Sequence, residues 1–187
     1  MKNKNREIEV RFLNINPQDI IQKLQKLNAK DEGKFLVEET IFYDKNRAWI
    51  KEGKFVRIRK TNNKILVSYK HHQKQTATGT YEIEFEVSDY DKAKKFIESL
   101  GLVAFRKQEK KRHTFKLGSI TLDIDTWPGI PTYLEIEGDS EKDLKKMAQK
   151  LGLDYKDAIF ENAKIVIEKY YKIPVSTYTH FTFKKIK

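Results

Sequence analysis

Four short segments of this chain alternate acidic with apolar residues: Glu7-Ile8-Glu9-Val10-Arg11, Tyr81-Glu82-Ile83-Glu84-Phe85-Glu86-Val87, Leu122-Asp123-Ile124-Asp125 and Leu134-Glu135-Ile136-Glu137. A strand sends successive side chains to opposite faces, so each segment would gather its carboxylates on one face. Carboxylates suit strands poorly, and like charges on neighbouring strands repel. Such strands are costly unless cations neutralise them, whether metal ions, Lys and Arg, or both. Basic residues keep the same phase. Arg11 shares the face of Glu7 and Glu9, and Arg57 and Arg59 stand two apart while Val56 and Ile58 face away. Lys70 is in phase with Ser68, and Lys110 and Arg112 are in phase with Thr114 and Lys116.

Two arrangements accommodate this pattern. One is an antiparallel sheet with a solvated polar face, which is common but carries mixed Thr, Ser, Lys and Gln. The other is a closed barrel with a charged interior, whose apolar outer face is covered by helices. In that second case the acids could hold a hard divalent cation while the bases hold a polyanion.

The elements that must position these residues are read from periodicity. Strands are expected over Glu7–Leu13, Phe35–Tyr43, Phe55–Lys60, Ile65–Lys70, Tyr81–Val87, Lys110–Lys116, Ile120–Asp125 and Thr132–Gly138. Thr61–Lys64 and Leu117-Gly118-Ser119 read as hairpin turns. Asn16-Pro17 opens a helix with Ile20, Ile21, Leu24 and Leu27 at helical spacing. A second helix runs from Asp89 to Leu100 and stops at Gly101. A third follows a cap at Asp139 or Ser140 and ends near Gly152, and a fourth covers Ala158–Tyr171. Thr126–Pro131 carries two prolines and a glycine and must be a loop. No linker is evident, so a single α+β domain is expected over residues 1–175, with 176–187 as a basic tail or an extra strand.

Composition narrows the partners. The net charge of +11 and pI near 9.5 point to an anionic partner. Lysines within the helices read as a solvated face. Eleven Phe and nine Tyr argue against disorder, and the absence of Cys excludes disulfides and thiolate metal sites. The polar start Met1–Arg6 lacks an apolar stretch after it, and no run is long enough to span a bilayer, so a cytoplasmic protein without membrane contact is expected. His71 and His72 are adjacent and would point apart on a strand, so they read as loop histidines rather than a shared metal site. Trp49 and Trp127 could stack a purine, but packing is the simpler role. The run Lys107–Arg112 reads by itself as a solvated strand end. A nucleic-acid-binding module would account for the charge but not for the paired acids, which repel phosphate.

The ordered set resembles the CYTH family, also called triphosphate tunnel metalloenzymes. Glu7–Arg11 is similar to the ExExK signature that opens the family, and the likeness continues through Val56–Arg59, Tyr69-Lys70, Glu82–Glu84, Lys110–Arg112, Asp125 and Glu135–Glu137. The resemblance implies an eight-stranded antiparallel β tunnel, a closed barrel with a charged interior and helices packed outside. It also implies Mg²⁺ or Mn²⁺ as cofactor, and ATP or another triphosphate (an RNA 5′ end included) as partner. Carried over by position, Glu7, Glu9, Asp125, Glu135 and Glu137 are expected at the metal. Arg11, Arg57, Arg59, Lys70, Lys110 and Arg112 are expected at the triphosphate, with Glu9, Lys110 and Arg112 catalytic. Asp123 competes with Asp125 for its place. Arg11 stands where the family usually has Lys, and Thr80 where it often has Arg; the 127–131 loop is stiffer than the usual Leu-Gly turn. Class IV adenylyl cyclases of the family attack the α-phosphorus with the ribose 3′-hydroxyl, and its triphosphatases attack the terminal phosphorus with water. The short, helix-ended chain leans to the cyclase, although the His-Phe-Gly lead-in of many bacterial cyclases is missing. A homodimer is an allowed assembly.

Overall fold

The computed structural model describes residues 6–61 and 63–187, so the expectations for Met1–Asn5 and for Asn62 in the first hairpin turn lie outside the described residues. The described strands are β1 (Arg6–Glu7), β2 (Glu9–Phe12), β3 (Lys30–Asp44), β4 (Lys54–Lys60), β5 (Ile65–His72), β6 (Thr80–Val87), β7 (Leu102–Leu117), β8 (Ile120–Thr126), β9 (Tyr133–Glu137) and β10 (His180–Phe181). The helices are α1 (Pro17–Lys26), α2 (Ala48–Glu52), α3 (Tyr90–Ser99), α4 (Glu141–Lys150) and α5 (Ala163–Tyr171). The fold is α+β, and its sheet runs in the order β1-β6-β5-β4-β3-β7-β8-β9-β2, with β10 added beside β7. All pairings along that order are antiparallel, whereas β10 lies parallel to β7.

The expected first strand is divided at Ile8. Its first part pairs with β6 and its second with β9, so the two ends of the sheet order fall on consecutive stretches of chain. No ladder joins β1 to β2 among the described residues, and the sheet is therefore not closed by hydrogen bonds as the expected barrel would be. β3 and β7 are far longer than expected and form the spine of the sheet. They pair from Lys30↔Lys116 to Asp44↔Leu102, with irregularities at Asp31/Gly33 and Ile41/Phe42.

Alternation decides where the apolar residues go. Val10 and Phe12 of β2, Phe115 of β7, and Leu122, Ile124, Leu134 and Ile136 of β8 and β9 pack against Ile20 and Leu24 of α1 and Leu144, Met147 and Ala148 of α4. Phe42, Ile58 and Val67 meet Ile97 of α3. A third cluster joins Trp127, Ile130 and Tyr133 to Ile167 of α5, Val175 and Phe181. The helices start where capping side chains stand: Asn16, Asp89, Ser140 and Asn162 each accept backbone N–H bonds from the first turn. The last helix begins at Ala163 rather than Ala158, because Ile159 pairs with Arg11 across the end of β2. Among the described residues no helix is long and apolar enough to cross a membrane.

Candidate functional site

The opposite face of the sheet lines a cavity of about 160 Å³. Its walls bring together Glu7, Glu9, Arg11, Arg57, Arg59, Lys70, Lys110, Arg112, Glu135 and Glu137, ten of the eleven residues singled out in the sequence. Asp125, the eleventh, is fully buried beside Lys110 and Arg112 and is absent from the cavity wall. Its carboxylate accepts from Lys110 Nζ at 2.7 Å and from Arg112 Nε at 2.7 Å, so its place is to fix those two cations. Asp123 pairs with the same guanidinium. Lys110 is held from the other side as well, with Nζ 5.2 Å from the centre of the Trp127 ring.

Cross-strand register explains the pairs. Glu135 stands directly opposite Arg11, and Glu137 opposite Glu9. Arg11 Nη2 therefore reaches both Glu9 Oε1 and Glu135 Oε2 at 2.8 Å, while Nη1 donates to the Glu161 carbonyl at 2.8 Å. That last bond ties the segment before α5 to the acidic cluster. Lys70 Nζ bonds Glu7 Oε1 at 2.7 Å and lies 3.2 Å from Glu82. Arg57 and Arg59 share Glu39, at 3.0 and 3.2 Å. Gln108 Nε2 donates to the other oxygen of Glu39 at 2.6 Å.

Glu39, Arg106, Gln108 and His72 are cavity residues that the sequence reading did not assign. Glu39 had a signal: it is a lone acid in phase with Val37 and Ile41, on a face otherwise apolar. Lys107–Arg112 corrects the reading of a solvated strand end, since Lys110 is buried while Lys107 and Lys111 are exposed. His72 belongs to β5 rather than to a loop, paired with Thr80.

The electrostatics divide the cavity in two. Burial opposes ionisation of Glu135 and Glu39, but the guanidiniums beside them win, and both carboxyls are held well below the usual range. Burial lowers Lys110, and Arg112 adds to it. At the other side the balance reverses. Glu9 is raised by burial and by Glu7 and Glu135, against Arg11. Glu137 is pushed up to about 8, first by loss of water around its carboxyl and then by Glu7, Glu9 and Glu135. Glu137 is itself exposed, so solvent moderates the first cause and leaves the crowding of acids. Acids that repel one another invite a cation, and their oxygen donors suit a hard one. Among the described residues no three such groups converge closely enough to hold an ion as they stand. Glu7 is instead paired with Lys70, and Glu9 with Arg11.

A pH dependence follows. With its carboxyl pushed up from the ordinary 4.5 to as far as about 8, folded Glu137 retains a proton in that window that the unfolded chain releases. This group therefore costs stability as pH rises through that window, with no further loss above it. Melting curves recorded in EDTA should show Glu137→Gln gaining on the native chain from about pH 5 to about pH 8. Parallel pH profiles for the two would contradict the assignment.

The family model for the CYTH domain matches residues 5–166. A Methanocaldococcus jannaschii protein named provisionally as an adenylate cyclase is 26% identical over 132 residues, covering 70% of this chain and 75% of that one. The solved structure of a Pyrococcus horikoshii protein is 30% identical, with a TM-score of 0.69 over 83% of this chain and 96% of its own. A Hippeastrum protein, named provisionally as an adenylyl cyclase and described as having a dominant triphosphatase activity, shares the fold at 15% identity. Its TM-score is 0.63 over 90% of this chain and 97% of its own.

Proposed function

This chain belongs to the CYTH domain family, and we propose that its cavity is the active site of a divalent-metal-dependent enzyme acting on a triphosphate. The reading we favour is a class IV adenylyl cyclase, converting ATP to cyclic AMP and pyrophosphate. The observation that carries the triphosphate is the division of charge inside one cavity. Glu7, Glu9 and Glu137 crowd together at one side, with Lys70 bonded to Glu7, while Arg57, Arg59, Lys110 and Arg112 are fixed around the rest. A closed eight-stranded tunnel is part of this reading, because the run through Ile8 carries the chain from β6 to β9 and links the two ends of the sheet.

In this account Glu7, Glu9, Glu135 and Glu137 would hold Mg²⁺ or Mn²⁺. Asp125 would act from behind, through Lys110 and Arg112. When bound, the ion would supply positive charge that stabilises the negative charge of the phosphates. Arg57, Arg59 and Lys70 are spaced along two paired strands and can grip successive phosphates. Lys110 and Arg112, held rigid by Asp125, face the charge that develops on the leaving group. In the cyclase the 3′-oxygen bonds to the α-phosphorus as the bond to pyrophosphate breaks, and the hydroxyl proton is released. The acids of the cavity also argue against a nucleic-acid groove, since they would repel a phosphate backbone.

Terminal hydrolysis is the second reading, and the activity described for the Hippeastrum protein of the same fold favours it. The two separate by product. Incubating the purified chain with Mg²⁺ or Mn²⁺ and ATP, inorganic triphosphate or thiamine triphosphate should give cyclic AMP with pyrophosphate for a cyclase, or orthophosphate for a triphosphatase. No product from any of the three would refute both.

A further inference from the structure

Past the charged region the cavity changes character. Phe55 pairs with Lys70 and Lys54 with His71, so Phe55 and His72 stand at one end of the β4–β5 ribbon, beyond the Arg57–Ser68 pair. Their ring centres are 5.8 Å apart. Gly53 brings α2 against this end: its φ is +70°, and a Cβ there would lie 2.8 Å from the His72 carbonyl oxygen. A larger residue would force the chain away, so glycine sets how closely Ile50 approaches the cavity. Ala163, Lys164 and Ile167 of α5 complete the wall.

His72 is an uncharged polar side chain at this end, beside Lys54 and Lys164. Its Nδ1 meets Thr80 Oγ1 at 2.9 Å, while Nε2, on the opposite edge of the ring, is buried with no partner. Buried polar atoms without partners are uncommon and costly, and they mark places where something else bonds. Arg11, Arg57 and Glu82 carry such atoms in the metal and phosphate region, and His113, Tyr155 and Tyr171 carry them away from the cavity wall, so His72 is the uncharged one among the cavity residues described. His72 is uncharged: burial, followed by Lys70, Arg11, Lys164 and Arg57, lowers its pKa to about 3. The same cations would repel any positively charged group placed beside it, and would leave a neutral ring undisturbed.

We propose that Phe55 and His72 form a head-group subsite, which takes a flat, uncharged heteroaromatic group carried on the triphosphate. Nε2 of His72 is its hydrogen-bond partner, and the Phe55 ring and Ile50 are its apolar wall. The proposal rests on the triphosphate reading above and sharpens it, since inorganic triphosphate would leave this end empty and a cationic ring would be disfavoured there. His72 is then a residue of specificity, remote from the reacting phosphorus.

The test is the KM of the full chain, with Mg²⁺, for ATP, thiamine triphosphate and inorganic triphosphate. It compares the native protein with His72→Phe, His72→Gln and Phe55→Ala. The preference for ATP over inorganic triphosphate should fall about tenfold in His72→Phe, the worth of one well-placed hydrogen bond. His72→Gln, which keeps a bonding group at that position, should recover most of it, and thiamine triphosphate should be the poorer of the two organic substrates. If inorganic triphosphate is turned over and that preference is the same in all four proteins, the subsite is wrong while the triphosphate reading stands. If none of the three substrates is bound or turned over, both fall together.

Discussion

Arg112→Met should lower the free energy of unfolding by about 3–5 kcal/mol, the usual cost of removing one partner from a buried ion pair. Arg112 is the hub of a buried charge cluster, where its guanidinium meets Asp123, Asp125 and Glu135. Methionine fills similar space, so the loss reports charge rather than a cavity. Without Arg112 the fully buried Asp125 keeps only Lys110, and Asp123 loses its cation. For a chain of this size that corresponds to a fall in melting temperature of about 10 °C. Lys145→Met, which breaks an exposed pair with Glu141, is the control and should change stability by less than about 0.5 kcal/mol. Adding Asp125→Asn to Arg112→Met should restore part of the loss, because the unpaired buried charge is then gone. Equal melting temperatures for Arg112→Met and the native chain would show that these pairs do not hold the cluster together.

Glu9→Gln should leave the fold in place and reduce turnover by on the order of 10²–10³-fold, as removal of a central electrostatic group does elsewhere. Glutamine keeps an oxygen that can accept from Arg11 Nη2, and Arg11 retains Glu135, so little stability is at stake. What disappears is one negative charge among acids that already repel one another. Glu9 is central to that group, since Arg11, Glu7 and Glu135 all act on its carboxyl. Steady-state rates alongside a far-UV spectrum measure both halves of the prediction. Near-native activity in a folded Glu9→Gln protein would remove Glu9 from the metal-binding set.

These two residues are legible in the sequence for the same reason that the strands are. Seven of the eight segments expected as strands lie on one strand each and the first is split at Ile8, because burial of one face and charge on the other leaves period-two alternation. Alternation assigns a face but not a depth. Asp125 and Arg112 share a face and are correctly grouped, yet the aspartate lies behind the guanidinium and off the cavity wall. The break at Ile8 is invisible locally, since it reflects a change of partner from β6 to β9, strands distant in sequence. Arg106 is in phase with Lys110 but is hidden in a run where exposed Lys107 and Lys111 alternate with buried cations. His72 was missed because β5 runs on past Lys70 through pairing with β6. The short α2 has no periodicity to read, and its closeness to the cavity depends on Gly53.

The most direct test of the central claim is the product assay on the native chain, run with Mg²⁺ or Mn²⁺ and repeated in EDTA. The account predicts that a triphosphate is consumed, that EDTA stops the reaction and that restored metal resumes it. Turnover that persists undiminished in EDTA, or no turnover of any triphosphate with metal present, would contradict it.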